Sequence, residues 1–403
     1  MNRTYAKWVL LLSALSFVAA GCGPETESPT APESNAAVAV TAAAPLSFRR
    51  ISAGYRHACG LTSENLAYCW GEGFLGQLGD GSTEYHAAPV AVAGGHRFIQ
   101  ISGGSGYTCA VTTEFKAYCW GQNTYSKLGD GTTGTRLVPM PVQGNLSFRQ
   151  IDAGRLHTCA VTITNLAYCW GNNQNGRLGD GTTATRRTPT RVVGDLKFRS
   201  ISAGADHSCG LTPTNRPFCW GKNNSGQLGD GTTVDKFAPR HVSIRRTFLQ
   251  IEAGALDRFG TTHTCGVTTM NEGFCWGQNQ EGQLGNGFTN RAIRPTLVAG
   301  NFTWKALAVG GDHNCGITTA NVAYCWGYNY YGQVGDGSER GVNAPTRMSP
   351  YPVTGGRSFT ALSVGESHSC GIAVNTRAYC WGNILGNGTL DASSTPVAVA
   401  GPE

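Results

Sequence analysis

The feature that most restricts this chain is a unit of about 50 residues that recurs seven times. The first cysteine of each copy falls at Cys59, Cys109, Cys159, Cys209, Cys265, Cys315 and Cys370, with successive separations of 50, 50, 50, 56, 50 and 55 residues. A fixed period overrides the two or three domains that 403 residues would otherwise imply, because repeat folds grow by adding units. The clearest copy runs His157-Thr158-Cys159-Ala160-Val161-Thr162, then Ala167-Tyr168-Cys169-Trp170-Gly171-Asn172-Asn173, then Gly176-Arg177-Leu178-Gly179-Asp180-Gly181-Thr182. With 56 glycines and only 14% charged residues, the composition favours a turn-rich all-β chain over long helices.

Each unit reads as four short strands. They are the Phe-x-x-Ile-x-Ala segment (Phe148 to Ala153), the alternating His157 to Thr162, Ala167 to Trp170 after a polar turn, and Pro189 to Val193 after a long glycine-rich loop. Four antiparallel strands repeated radially make a propeller blade. The expected fold is therefore all-β, a seven-bladed β-propeller over 47–403, with repeats near 47–97, 98–147, 148–197, 198–247, 248–301, 302–358 and 359–403.

The motif Cys-Trp-Gly-x-Asn-x-x-Gly-Gln-Leu-Gly-Asp-Gly-Thr, as in Cys219 to Thr232, closely resembles the regulator-of-chromosome-condensation (RCC1-type) repeat. The resemblance extends from about Phe48 to the C-terminus. The Gly-Gly signature of kelch repeats and the Trp-Asp of WD-type repeats are both missing, and seven copies is the blade number typical of the family. The resemblance implies closure by pairing of terminal segments in one blade, with Thr395 to Val399 lying beside strands that start near Phe48.

Of 15 cysteines, Cys22 stands apart and the other fourteen form one pair per repeat: Cys59/Cys69, Cys109/Cys119, Cys159/Cys169, Cys209/Cys219, Cys265/Cys275, Cys315/Cys325 and Cys370/Cys380. Each pair is ten residues apart, with the second-to-third-strand turn midway, so the two thiols face each other across a hairpin. Opposed Cα atoms in such a pair lie about 4.5 Å apart, near the lower limit for a disulfide. One intrablade disulfide per blade is expected. Zinc would need close Cys-x-x-Cys ligands or cysteines converging from two blades, and neither pattern occurs; no metal and no cofactor are expected. Reduced buried thiols are the remaining alternative.

The N-terminus reads as an export signal over 1–21. Arg3 and Lys7 precede an uncharged, mostly apolar stretch from Trp8 to Ala20, and these 13 residues are too few to span a bilayer comfortably. Val18-Ala19-Ala20-Gly21-Cys22 resembles the lipobox of bacterial lipoproteins, which would make Cys22 the lipidated first residue of the mature protein. Ordinary secretion with cleavage near Ala20 is the competing reading. Residues 22–46, rich in Pro, Ala, Ser, Thr and Glu and free of aromatics, cannot bury enough apolar surface to order themselves and read as a flexible tether. Contact with a membrane is expected only through the lipid. The expected locations are an outer membrane or cell surface, or otherwise the periplasm or medium, and export supplies the oxidising compartment that disulfides need.

Several residues look chemical. His57, His157, His207, His263, His313 and His368 share one repeat position, with Tyr107 in the second copy. Equivalent positions are spread around a propeller axis and cannot meet at one atom, so a structural role within or between blades is expected. Asp80, Asp130, Asp180, Asp230 and Asp336, with Asn286 and Asn387, sit in Gly-Asp/Asn-Gly turns; one carboxylate per loop is too few for calcium. The seven tryptophans of the Cys-Trp-Gly motif are expected between blades. No nucleophile–base pair, phosphate loop or paired catalytic carboxylates are visible, and the chain reads as a non-enzyme.

Function is expected where the repeats differ. Loops joining strands one to two and three to four open on one face of a blade, and exposed aromatics and arginines concentrate there. The candidate binding face comprises Tyr55, Arg56, Phe74, Tyr85, Tyr125, Arg155, Arg186, Phe259, Tyr328, Tyr330 and Tyr331. Aromatic residues with arginine on a rigid surface have the composition of an interaction site. The opposite face has mainly short Thr/Asn turns. The formal net charge of +6 falls to about +4 without Arg3 and Lys7 and forms no basic run, so no nucleic acid is expected. A monomeric, surface-tethered scaffold for a protein or cell-envelope ligand is the leading reading. The resemblance also raises two alternatives: the secreted propellers of this type that inhibit β-lactamases, and the guanine-nucleotide exchange of the eukaryotic namesake. Export separates the chain from any cytosolic or nuclear GTPase. Mass spectrometry of the N-terminus from the membrane fraction is expected to find diacylated Cys22 as the first residue; an unmodified Cys22 or a later start would remove the anchor.

Overall fold

The computed structural model describes residues 46–254 and 262–402. The signal segment, the tether up to residue 45, Cys22 and Phe259 lie outside them. Twenty-eight strands form seven four-stranded antiparallel sheets, each built from strands consecutive in the chain. The blades span 48–91, 98–141, 148–191, 200–241, 248–297, 304–352 and 359–398. In blade 3 the strands are Phe148–Ala153, His157–Thr162, Ala167–Gly171 and Arg186–Arg191. The fourth begins three residues earlier than its proline suggests, because Gly171 pairs with Arg186 ahead of Pro189. Among the described residues the only helical element is a 3-10 turn, Thr124–Ser126.

Within each blade the paired cysteines are direct cross-strand partners, as in Cys159 opposite Cys169. Each of the seven pairs is a disulfide: Cys59–Cys69, Cys109–Cys119, Cys159–Cys169, Cys209–Cys219, Cys265–Cys275, Cys315–Cys325 and Cys370–Cys380. Their Cα atoms are 4.0–4.1 Å apart, closer than the spacing of about 4.5 Å expected for an unbridged pair. The fourteen sulfurs are thus joined within blades, and the alternative of reduced buried thiols falls away.

All these cysteines are fully buried, and each disulfide forms the floor on which the next blade packs. Cys159, Cys169 and Leu178 of blade 3 meet Phe198, Ile201 and Trp220 of blade 4. The same cluster closes the ring, where Cys370, Cys380 and Leu385 meet Phe48 and Trp70. The apolar core is thus seven separate layers between blades. The tryptophan comes so close to the preceding loop that a side chain at Gly179 would lie 2.6 Å from the Trp220 ring nitrogen. Gly179 also adopts φ +68°, so glycine is required there twice over.

The expected terminal pairing does not occur. The last strand, Ser393–Ala398, pairs with Ala378–Gly382 of its own blade, and Phe48–Ala53 pairs with His57–Thr62. Every repeat supplies all four of its own strands, so none is left over to be shared. The ring closes through the contacts used at the other junctions. Phe48 N–H donates to the Thr376 carbonyl at 2.9 Å, as Phe98 donates to Asn65 at 2.8 Å.

Removing one staple in a Cys159→Ala/Cys169→Ala variant is expected to lower stability by about 3 kcal/mol through the ten-residue loop it closes. Denaturant unfolding checks this, and an unchanged midpoint would show that packing alone holds the hairpin.

Candidate functional site

Antiparallel connectivity places the strand one-to-two and three-to-four loops at the same end of every blade. Three sets of bonds hold the longer loop rigid. A buried asparagine (Asn123, Asn173, Asn223, Asn279, Asn329) accepts from the main-chain N–H of the Leu or Val five residues on. Its amide donates to the turn Asp or Asn, as Asn173 does to Asp180 at 2.9 Å. The second set centres on that Asp, whose carboxylate accepts from Thr182 N–H at 3.0 Å and Thr182 Oγ1 at 2.8 Å. The left-handed φ values belong to the flanking glycines, Gly179 and Gly181, and Asp180 closes an Asx turn between them. In the third set, the glycine after the Asp or Asn donates to a fourth-strand carbonyl of the next blade, from Gly81 to Leu137 round to Gly388 to Ala87.

The turn aspartates also bind the basic residue that opens the fourth strand: Arg136 to Asp130 at 2.8 Å, Arg186 to Asp180 at 2.7 Å, Lys236 to Asp230 at 3.7 Å and Arg347 to Asp336 at 2.6 Å. Burial opposes ionisation of these carboxyls. Hydrogen bonds from Thr or Ser and from the arginines, and for Asp230 the charge of Lys236, outweigh it and hold Asp130, Asp180, Asp230 and Asp336 below their ordinary range. Arg186 is therefore half-buried and part of the loop scaffold rather than a loose loop residue.

Loop tips carry the variation. At the two positions before the Gly-Gln-Leu-Gly segment, or its equivalent, stand Phe74-Leu75 in blade 1, Thr124-Tyr125 in blade 2 and Tyr330-Tyr331 in blade 6. Blades 3, 4 and 5 have Gln174-Asn175, Asn224-Ser225 and Gln280-Glu281. Blade 7 lacks the loop's Asn-x-x-Gly turn, passing from Gly382 through Asn383 to Ile384-Leu385-Gly386. Since blade 7 adjoins blade 1, the aromatic tips occupy one contiguous arc, blades 6-7-1-2, with the shortened loop inside it. Phe74 is 62% exposed and Tyr125 46%. Tyr328 and Tyr330 stack with ring planes 10° apart, and Tyr331 meets Tyr330 edge-on at 5.0 Å. Tyr85, on blade 1, is half-buried. Ser126 has φ +60°, a left-handed backbone where Gly76, Gly176, Gly226, Gly282 and Gly332 stand in other blades, and Tyr125 before it has φ +63°; such strain gathers at functional loops.

Tyr55, Arg155 and Glu366 line the mouth of a central channel with a cavity volume of about 220 Å³. Arg56 bonds Glu72 and Glu366, each at 3.2 Å. Burial, aided by the Glu366 carboxylate, pushes the Tyr55 phenol up to about 12. Deeper in the channel, Ser52, Ser102, Ser202 and Ser363 accept N–H bonds from the adjoining blade. Asp152 and Glu252 stand in the same belt. Burial raises both, and Asp152 helps bring Glu252 to about 7.

The histidines line the blade junctions. Thr108 Oγ1 donates to the Gln77 carbonyl at 2.8 Å, and Trp120 Nε1 donates to the same oxygen at 3.1 Å. With its proton committed, the Thr108 hydroxyl accepts from His57 Nε2 at 2.8 Å, which assigns the Nε2–H tautomer. His157–Ser208, His207–Thr264, His263–Asn314 and His313–Ser369 repeat the relay, and Tyr107–Thr158 replaces it in blade 2. These five imidazoles each serve the neighbouring blade, and the ring of histidines does not meet in a common centre. Among the described residues no group of three or more His, Cys, Asp or Glu could hold a metal ion.

Sequence reasoning missed three features. Lys127 and Arg177 replace the Gln of Gly-Gln-Leu-Gly and are buried. Arg177 pairs with Asp206 at 2.9 Å. Lys127 donates to Ser105 O and Gln122 Oε1 over the Tyr107 ring, and burial brings it down to about 7. Phe288, 65% exposed on blade 5, sits where other turns carry Thr or Ser. The opposite face also carries exposed Phe115, Ile163, Met270 and Val374 in its short turns.

Burial of the imidazoles brings His57, His207 and His313 to about 3 and His368 to about 4, and holds His157 well below its usual value. Between those values and about 6.5 the unfolded chain takes up protons that the folded one refuses, so stability falls with pH, by about 1.4 kcal/mol per pH unit for each histidine. Glu252 and Asp152 act oppositely, since the folded state holds their protons more tightly, but five histidines outnumber two carboxyls. Denaturant midpoints are therefore expected to drop from pH 7 to pH 5, less steeply in a His157→Gln variant. A midpoint that rises over this range would refute the relay.

The RCC1-like domain model matches residues 18–259, and the regulator of chromosome condensation (RCC1) repeat matches 273–317 and 322–372. A search of curated proteins finds no match. Similar solved structures include Prp20p of Saccharomyces cerevisiae (22% identity, TM-score 0.73, covering 84% of this chain and 87% of that one). Human WBSCR16 is similar at 19% identity and TM-score 0.72, covering 83% and 93%. The ectodomain of the Arabidopsis thaliana receptor kinase ACR4 is similar at 23% identity and TM-score 0.53, covering 88% and 98%. At these identities the likeness is one of fold. With the family model spanning more than half of its length and the repeat continuing beyond, the chain belongs to the RCC1-like domain family.

Proposed function

We propose that this protein is a non-catalytic binding scaffold, exported and held at the cell surface by a lipid on Cys22. It captures a protein or cell-envelope ligand with the arc formed by blades 6, 7, 1 and 2. The observation that carries this reading is the contiguity of the aromatic tips. Phe74, Tyr125, Tyr330 and Tyr331 occupy equivalent variable positions on one side of the ring, while the same positions in blades 3, 4 and 5 carry Asn, Gln, Ser and Glu. Large exposed aromatics on a rigid frame supply binding area at little entropic cost.

The compartment agrees with this reading. Seven buried disulfides fit an oxidising, extracellular environment. No helix among the described residues is long and apolar enough to cross a membrane. Exchange on a GTPase finds no support in these features, because the eukaryotic proteins share only the fold and fold does not carry function.

A Phe74→Ala/Tyr125→Ala/Tyr331→Ala variant is expected to lose at least about tenfold in ligand capture, each anchor contributing more than 1 kcal/mol, with its melting temperature kept. Cross-linked pull-down from intact native cells measures this. A Phe115→Ala/Met270→Ala variant on the opposite face is the control and should capture normally. Equal capture by all three proteins would sink the proposal.

A further inference from the structure

Six of the seven blade junctions share two ties that the junction between blades 7 and 1 lacks. The first is covalent. The chain crosses every other junction on its way from a fourth strand to the next first strand, whereas blades 7 and 1 are the two ends and no segment is shared between them. Among the described residues the disulfides all lie within blades and bridge no junction. The second tie is the buried relay. At the seventh junction the hydroxyl or amide position is Ala58, so His368 meets only the main chain of His57 and lacks the side-chain partner that the other junctions supply. The shortened blade 7 loop also withdraws the carbonyl that serves each of the other six tryptophans, leaving Trp70 Nε1 buried and unbonded. Buried polar groups short of partners cost folding free energy, and both of these fall at this one junction.

What remains at this junction is the apolar layer, with Phe48 and Trp70 on Cys370, Cys380 and Leu385, and a few hydrogen bonds around it. Phe48 N–H reaches Thr376 O at 2.9 Å, Ala53 N–H reaches Ser363 Oγ at 2.8 Å, and Gly388 N–H reaches Ala87 O at 2.9 Å. On the rim, the half-exposed Arg56 is held by Glu366 at 3.2 Å. We propose that the blade 7–blade 1 seam is a built-in breach point, at which the ring opens while the seven stapled blades stay folded, and that the rim pair Arg56–Glu366 is its latch. An opened ring exposes the flanks of blades 1 and 7 in the middle of the aromatic arc. The proposal does not depend on that arc binding a ligand.

Residue-resolved hydrogen exchange on the full protein tests the seam through its own cross-junction amides. Phe48, Ala53 and Gly388 are expected to exchange faster than their counterparts Phe98, Gly103 and Gly131 at closed junctions. An Ala58→Ser variant, which installs the hydroxyl found at Ser208 and Ser369, should slow the three seam amides roughly fivefold by giving His368 a partner. Glu366→Gln, or added salt, should speed them and leave the amides of blades 3 and 4 untouched. Thr108→Ala should weaken the blade 1–blade 2 junction less, because the chain still crosses it. Equal protection at all junctions in the wild type would overturn the proposal, as would seam amides that ignore both Ala58→Ser and Glu366→Gln. If Ala58→Ser does not fold, the wild-type map and Glu366→Gln decide alone.

Discussion

The fold depends on one contact repeated around the ring: a tryptophan of one blade pressed onto the disulfide and loop of the blade before it. Trp220 lies in a single layer with Cys159, Cys169 and Leu178, and its indole N–H ends on the Arg177 carbonyl at 3.0 Å. A four-stranded blade cannot bury both of its faces alone. Each disulfide therefore does two jobs, holding its own hairpin in register and presenting a rigid apolar floor to the next blade. This explains why the cysteines are fully buried despite closing loops of only ten residues.

Much of this was legible in the sequence because repetition averages out local ambiguity. A single Phe-x-x-Ile-x-Ala segment is a weak strand signal, but seven copies in phase with a Cys-Trp-Gly motif leave little freedom. Strand type, blade number and cysteine pairing, from Cys59–Cys69 round to Cys370–Cys380, followed from that periodicity. Ring closure did not. It was inferred from family resemblance, whereas the decisive property is that Thr395 to Val399 complete a blade whose other three strands precede them. Whether a last strand is surplus or required is a matter of counting from the first strand, and that count begins with Phe48.

The candidate face was only half legible. Exposed aromatics could be found as departures from the consensus, but their roles depend on neighbours. Arg186 resembles Arg155 in sequence, yet Asp180 holds it in the scaffold while Arg155 stands at the channel mouth. Lys127 and Arg177 carried a usable signal, since each breaks the Gly-Gln-Leu-Gly segment. What each charge meets could not be read locally: Arg177 finds Asp206 of the next blade, while Lys127 finds carbonyls and a ring. A buried cation can be tolerated when enough acceptors surround it, and of these only Gln122 is a near neighbour in the chain, whereas Ser105 and Asp206 come from distant segments.

Symmetry and its violations divide the labour of the molecule. Residues that repeat, such as the histidines, turn aspartates and tryptophans, are consumed by junctions and loops, so their chemistry is already committed. Residues that break the repeat are released from that duty. Arg177 of blade 3 and Phe288 of blade 5 stand elsewhere, but the aromatic tips before the Gly-Gln-Leu-Gly segment, the shortened loop of blade 7, Ala58 and the latch residues all fall between blades 6 and 2. That region also contains the two chain ends, where a change in one blade need not be matched by a covalently linked neighbour. A repeat protein can vary most cheaply at the one junction its backbone does not cross. That gives a physical reason for a binding face to develop there, with the opposite arc left to hold the ring in shape.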